Sequence, residues 1–221
     1  MSTRPPRFKA LVFDLDGTLV DSRPGIEACL RGALAATFPS LKMPPDLSPY
    51  LAPPFPRIVS HIWPALGPSD VGILVGEFRR RYCESGWRNF EIFPGAGAAV
   101  ASLSQQGMRQ FVLTNKPEEL TRKILAACGM ASAFEAAYSL DSFDPPAASK
   151  SEAAGFLLER TGLAAKEVCL VGDTPEDKAV AETCGMGFIG VSHGYGPSDW
   201  HPPTLLDKFD QLAEALTSYP L

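Results

Sequence analysis

The chain is predicted to be an α/β protein: a parallel-sheet core interrupted near its amino end by an inserted helical domain. Three observations predict this. From about Phe93 to Val191, short apolar strands alternate with helices, the pattern of βαβ units joined into a parallel sheet. A lone apolar strand, "FKALVFD", stands far upstream of that series. Between the two lies a proline-rich and then helical stretch with no strand signal, which the first strand must leap over to join the others.

Taken in order, the first strand runs from Phe8 to Phe13 and reads as fully buried. A helix follows from Pro24 to Phe38, with Ile26, Cys29, Leu30, Ala33 and Leu34 at helical spacing, Ser22 as its candidate cap and Pro24 in its first turn. Residues 41–68, "LKMPPDLSPYLAPPFPRIVSHIWPALGP", carry prolines at a density that breaks regular elements, so short helices and stiff loops are expected before the helical "VGILVGEFRRRYCESG". Then come helix 95–106, strand 110–114, helix 117–128, a weak strand at 136–140, helix 150–161, strand 167–172, helix 175–184 and strand 187–191. Pro117 with Glu118 and Glu119 opens one of these helices and Gly129 closes it, while Pro175 and Gly185 bracket another. Leu205, Leu206, Phe209, Leu212 and Leu216 make a helical stripe expected to cover the sheet. The expected domains are therefore a core of residues 1–20 and 93–221 and a helical insertion of residues 21–92.

Of 221 residues, 45% are hydrophobic and 20% charged, enough apolar material for a packed core and no signature of disorder. A formal charge of −5 argues against nonspecific grip on nucleic acid or an anionic membrane, both of which need a basic face. No secretory h-region and no apolar run approaching the ~20 residues of a membrane span are visible, so a cytoplasmic protein is expected. The five cysteines are widely spaced, with no C-x-x-C and no Cys/His cluster, and are expected to be reduced. "GAGAAV" lacks the third glycine of a dinucleotide fingerprint and follows Pro94 instead of a strand, and no P-loop occurs.

In open parallel sheets, ligands bind outside the carboxyl ends of the strands. Asp14 and Asp16 lie at the end of the first strand, Thr114 and Asn115 at the end of "FVLT", and Asp173 at the end of "CLVG", with Asp177 one helical turn beyond. Each has a bland reading alone: Asp16–Gly17 as a turn, Thr174 or Asp173 as a helix cap, Lys150 as a solvated first-turn lysine. Their convergence on one sheet edge is what the bland readings do not explain. Clustered carboxylates repel unless a cation lies among them, and Mg2+ suits Asp14, Asp173 and a backbone carbonyl at Asp16. Thr114, Asn115 and a lysine beside such a metal point to phosphate. Asp14 is the candidate nucleophile, which would split hydrolysis into two steps, and Asp16 the candidate acid and base.

"DLDGTLVDS", "LTNK", "SKSE" and "VGDTPED", in that order, resemble the four motifs of the haloacid dehalogenase superfamily. The resemblance covers residues 8–22 and 92–196 and is greatest for the phosphoglycolate phosphatases and 5'-nucleotidase-like members. It implies a Rossmann-like core with an inserted helical cap domain and a Mg2+-dependent phosphatase acting through an aspartyl-phosphate. It further implies Asp14 as nucleophile, Asp16 as acid/base, and Thr114 and Lys150 as the phosphate-holding pair. Asp14, Asp16 through its carbonyl, and Asp173 would ligate the metal, with Asp177 as outer-shell support. The partner implied is a small phosphorylated metabolite, for a monomer or homodimer. "YLAPPF" is similar to a cap loop of these enzymes, with Ala52 where they usually carry glycine, and Arg57, Lys42 and Phe55 are candidates to touch the substrate there. His193 in "SHGYG" attracts notice because it follows the last strand on the active edge. The competing readings are a sugar phosphomutase or a metal-free dehalogenase of the same superfamily and, from another class, a non-catalytic phospho-receiver or scaffold. The second acid, Asp16, speaks for phosphate chemistry.

Overall fold

A computed structural model describes residues 7–51 and 55–219. Residues 52–54, including the alanine and prolines singled out in "YLAPPF", lie outside that description. The chain divides into two compact units, Met1–Val20 with Ile92–Leu221, and Asp21–Glu91. The passages between them are two short strands, β2 (Val20–Asp21) and β3 (Glu91–Ile92).

The larger unit is built on β1 (Ala10–Phe13), β4 (Arg109–Thr114), β5 (Ala136–Ser139), β6 (Val168–Gly172), β7 (Gly187–Val191) and β8 (Leu205–Leu206). They form one sheet in the order β5-β4-β1-β6-β7-β8, with every pairing parallel. The upstream strand thus takes a central place, because "ALVF" is apolar on both faces and only a doubly covered strand can bury it. All four residues of β1 and all five of β6 are buried. Around the sheet lie α4 (Ala96–Gln105), α5 (Glu118–Ala127), α6 (Lys150–Thr161), α7 (Pro175–Cys184) and α8 (Leu212–Ser218). Val12, Phe111, Leu113 and Leu170 meet Ala153, Leu157 and Val180 from α6 and α7 in one apolar core.

The helical stripe expected from Leu205 onward is only partly a helix. Leu205 and Leu206 extend the sheet instead, pairing with Gly190 and Val191, and the helix starts at Leu212. The edge of β7 offers unpaired backbone groups, and Gly190 N–H to Thr204 O (2.8 Å) and Ser192 N–H to Leu206 O (2.9 Å) satisfy them. Leu206, Phe209 and Leu212 are buried as the stripe requires.

The smaller unit consists of α1 (Arg23–Thr37), α2 (Phe55–Ile62) and α3 (Pro68–Glu84). Leu30 and Leu34 of α1, Ile58 and Val59 of α2, and Leu74 and Phe78 of α3 are among its buried side chains. Ser22 occupies the N-cap position of α1, but its backbone is helical (φ −88°, ψ −2°) and its side chain makes no capping bond. The candidate Phe55 stacks on Phe78 with ring centroids 3.5 Å apart, and Arg57 is exposed. All five cysteines are free thiols. No described helix is long and apolar enough to cross a membrane.

Candidate active site

Register places the acids. Phe13 pairs with Val112 on one side and Val171 on the other, so Asp14 and Asp173 emerge just past the carboxyl ends of their strands and Thr114 is the last residue of the adjacent β4. Asp14 N–H donates to Val171 O at 2.9 Å, which continues the pairing one step and holds the Asp14 backbone beside Gly172. The next turn needs Gly17, whose φ of +90° is left-handed and whose missing Cβ would otherwise overlap the Asp173 carboxylate.

The carboxylates of Asp14, Asp173 and Asp177 each bring an oxygen within 4.8 Å of the others, and all three residues are buried. Lys150 lies among them, its Nζ 2.6 Å from Asp14 Oδ1 and 2.6 Å from Asp177 Oδ1. It is 5% exposed, which excludes the solvated first-turn reading. Lys150 is the first residue of α6, where the helix dipole disfavours a cation, so its place is explained by the carboxylates and not by the helix.

Burial raises the Asp14 pKa well above the carboxylate range; Lys150 lowers it, while Asp177 and Asp173 raise it further. Asp173 is pushed up to about 7, by burial first and then by Asp177, against hydrogen bonds that favour its ionised form. Burial alone would depress Lys150, but Asp14 and Asp177 outweigh it and raise the ammonium pKa. The cluster is thus one internal cation among three acids, with charge left to neutralise.

Each acid has its own partners. Asp173 accepts from Thr18 Oγ1–H (2.9 Å) and Tyr195 N–H (2.7 Å), one donor for each oxygen. Asp177 Oδ2 accepts from Thr174 Oγ1–H (2.6 Å) and Thr174 N–H (3.1 Å), while Asp177 N–H donates back to Thr174 Oγ1 (3.2 Å). The capping reading of "VGDTPED" is therefore realised by Thr174, which leaves Asp173 to the cluster. Asp16 stands apart from the three, its carboxylate 3.1 Å from Lys116 Nζ, a buried lysine. Thr114 is buried and its hydroxyl accepts from Lys116 N–H at 3.3 Å. Asn115 turns toward α7, its Nδ2 3.4 Å from Glu176 Oε1.

Sequence reasoning did not single out Tyr195, took Thr18 only with Asp16 and Gly17 as a sign of phosphate chemistry, and named Lys116 only as the alternative to Lys150. "DGT" contains Thr18 and "HGYG" contains Tyr195, but nothing in either string says that both bond to an aspartate 155 and 22 residues away, respectively.

A divalent cation fits the cluster. Its donors are buried carboxylate oxygens without nitrogen or sulfur, the set that Mg2+ and related hard cations take.

Residues 11–191 match the family described as haloacid dehalogenase-like hydrolases. The chain is 32% identical over 218 residues to a phosphoglycolate phosphatase of Cupriavidus necator, covering 94% of this chain and 93% of the other. It is 29% identical over 201 residues to a 5'-nucleotidase of Pseudomonas aeruginosa, covering 90% of each. A haloacid dehalogenase-like family hydrolase from Streptococcus pneumoniae superposes with a TM-score of 0.84 at 20% identity, covering 94% of this chain and 98% of that one. With its motifs distributed over this sheet edge and a family match running across most of its length, the chain belongs to the haloacid dehalogenase-like hydrolases.

Proposed function

We propose that the protein is a Mg2+-dependent phosphatase that hydrolyses a small phosphomonoester through a phosphorylated Asp14. The observation that carries the reading is the Lys150 ammonium, buried against Asp14 and Asp177 in a cluster of three carboxylates. A lysine at the attacking carboxylate, with acids that would hold a divalent cation, is what an incoming dianionic phosphoryl group requires.

Asp14 attacks phosphorus through a carboxylate oxygen and forms the acyl phosphate as the bond to the leaving oxygen breaks. The Asp16 carboxyl gives its proton to that leaving alkoxide, then takes one from the water that attacks the acyl phosphate, which returns Asp14 and releases inorganic phosphate. Lys150, the Thr114 hydroxyl and the Asn115 amide hold the phosphoryl oxygens. Lys116 keeps the Asp16 side chain in place. Asp14, Asp173 and the Asp16 carbonyl would hold Mg2+, which would supply charge neutralisation at the phosphoryl oxygens. Asp177, with one oxygen committed to Thr174, supports Lys150 and the metal-binding acids.

The substrates proposed first are 2-phosphoglycolate and nucleoside monophosphates, because relatives at 32% and 29% identity are named phosphoglycolate phosphatase and 5'-nucleotidase. Phosphate release from a panel of these and sugar phosphates, with Mg2+ and with a chelator, tests the reading. Metal-dependent release from one ester well above the rest is the expected result. No release from any ester would remove the phosphatase assignment.

The acid cluster also makes a pH prediction. Asp173 has a folded pKa of about 7 against an ordinary aspartate value of 3.8 when unfolded. Between those values the folded chain binds more protons, so the stability of the metal-free protein falls as pH rises from about 4 to about 7 and then levels from this group. A cation binds the ionised acids, so its stabilisation grows over the same window. Melting curves from pH 5 to 8.5 should converge at low pH and separate above 7 when Mg2+ replaces chelator. A Mg2+ increment that does not change with pH would count against a carboxylate metal site.

A further inference from the structure

His193 is the second residue of the loop that follows β7. Its ring lies between Phe93 and Phe209, with centroids 4.2 Å and 5.4 Å away, and its Nε2 is 3.1 Å from the backbone oxygen of Thr18. A carbonyl only accepts, so Nε2 carries the proton in this contact. The packing and the hydrogen bond are separable roles, because a phenylalanine ring could supply the first and not the second.

The two segments joined by this contact hold the same carboxylate. Thr18 donates its hydroxyl to Asp173 Oδ1, and Tyr195, two residues after His193, donates its backbone N–H to Oδ2. Gly194, between them, passes so close that a Cβ there would overlap the Asp173 side chain. Thr18 is 0% and Asp173 1% exposed, so water does not substitute for either donor. Each Asp173 oxygen keeps a second lone pair for another partner, and the rotation of the carboxylate is set by where Thr18 and Tyr195 stand. The His193 ring joins the two segments directly, by one hydrogen bond across 175 residues of sequence.

We propose that His193 is a positioning residue for Asp173: by pinning the Thr18 carbonyl to the loop that carries Tyr195, it orients the carboxylate and sets its affinity for a divalent cation. The proposal rests on the reading of Asp173 as a metal ligand given above. Groups that orient a ligand without touching the metal change affinity more than they change fold, because a misaligned carboxylate still packs but no longer converges with its neighbours.

The test is Mg2+ titration by calorimetry, with melting temperature and Mg2+-dependent phosphate release measured alongside. The proteins are the wild type, His193→Phe, His193→Gln and Thr18→Val. His193→Phe keeps the ring between Phe93 and Phe209 and loses the donor, so it should melt near the wild type while its Kd for Mg2+ rises about tenfold. Turnover at saturating Mg2+ should stay close to the wild type. Thr18→Val should weaken Mg2+ binding at least as much, and His193→Gln, whose amide can donate to the Thr18 carbonyl, should restore most of the affinity. Equal Mg2+ affinity in the wild type and His193→Phe overturns the proposal, as does a loss that tracks melting temperature alone and is not rescued by glutamine. If His193→Phe does not fold, His193→Met replaces it as the variant without a donor, and equal affinity in the Met and Gln proteins overturns the proposal. A wild type that binds no divalent cation overturns the metal site itself, and that outcome is distinct from every result above.

Discussion

Asp14→Asn should reduce phosphate release by roughly 10^4-fold or more, because an amide oxygen is a poor nucleophile and the side chain can no longer enter an acyl phosphate. The same change should leave the fold intact. Asp14 is raised well above the carboxylate range by burial and by two neighbouring acids, so its ionised form is held at a cost that the amide does not carry. Lys150 keeps Asp177 as a partner at 2.6 Å. The metal-free variant should therefore melt at or above the wild-type temperature, while its stabilisation by Mg2+ shrinks. Steady-state assays, melts with and without Mg2+, and trapping of labelled phosphate on the protein check the three parts. Turnover close to wild type would take the nucleophile role away from Asp14, whatever the melts show.

Lys150→Ala should be damaging in two separable ways. Removing one member of a buried charge pair leaves its partners uncompensated, a cost of about 3–5 kcal/mol where the remaining charges cannot reach water. Here the partners are acids able to take up protons, so the loss depends on pH. The cost should be small near pH 5, where Asp14 and Asp173 are protonated more readily, and larger above pH 7, where ionised acids face one another without the ammonium. Excess Mg2+ should recover part of the stability, because it returns positive charge to the same acids. Turnover should not recover with it. The lysine is also assigned to the phosphoryl oxygens, and loss of such a charged donor costs on the order of 10^2 to 10^3 in rate. Melts across pH and rates at saturating Mg2+ separate the two effects. A Lys150→Ala protein with an unchanged rate would shift the phosphate-holding role to Lys116, the other buried lysine of the core unit.

Some of this architecture could be read from residues alone. Helix α7 starts at Pro175 and ends before Gly185 because proline suits a first helical turn and glycine the left-handed residue that follows a helix, and both signals are local. The strands β1, β4 and β6 were legible from apolar runs too short for helices. Once strands are parallel, the strand-end rule brings Asp14, Thr114 and Asp173 to one edge without any further information. The C-terminal stripe shows where periodicity stops helping: Leu205 and Leu206 fit a helix as well as a strand, and the open edge of β7 decides between them.

By itself the sequence determined the alternation of strands and helices, the insertion after the first strand, and which acids stand at strand ends, because each follows from short-range periodicity, turn chemistry and the direction of a parallel strand. The tertiary structure alone decided that Lys150 sits between Asp14 and Asp177, that Lys116 meets Asp16, that Thr18 and Tyr195 bond to Asp173, and that His193 bonds to Thr18. These contacts join residues far apart in the chain. Their geometry depends on how loops pack once the sheet is assembled, and their energies depend on burial, which no local pattern of residues specifies.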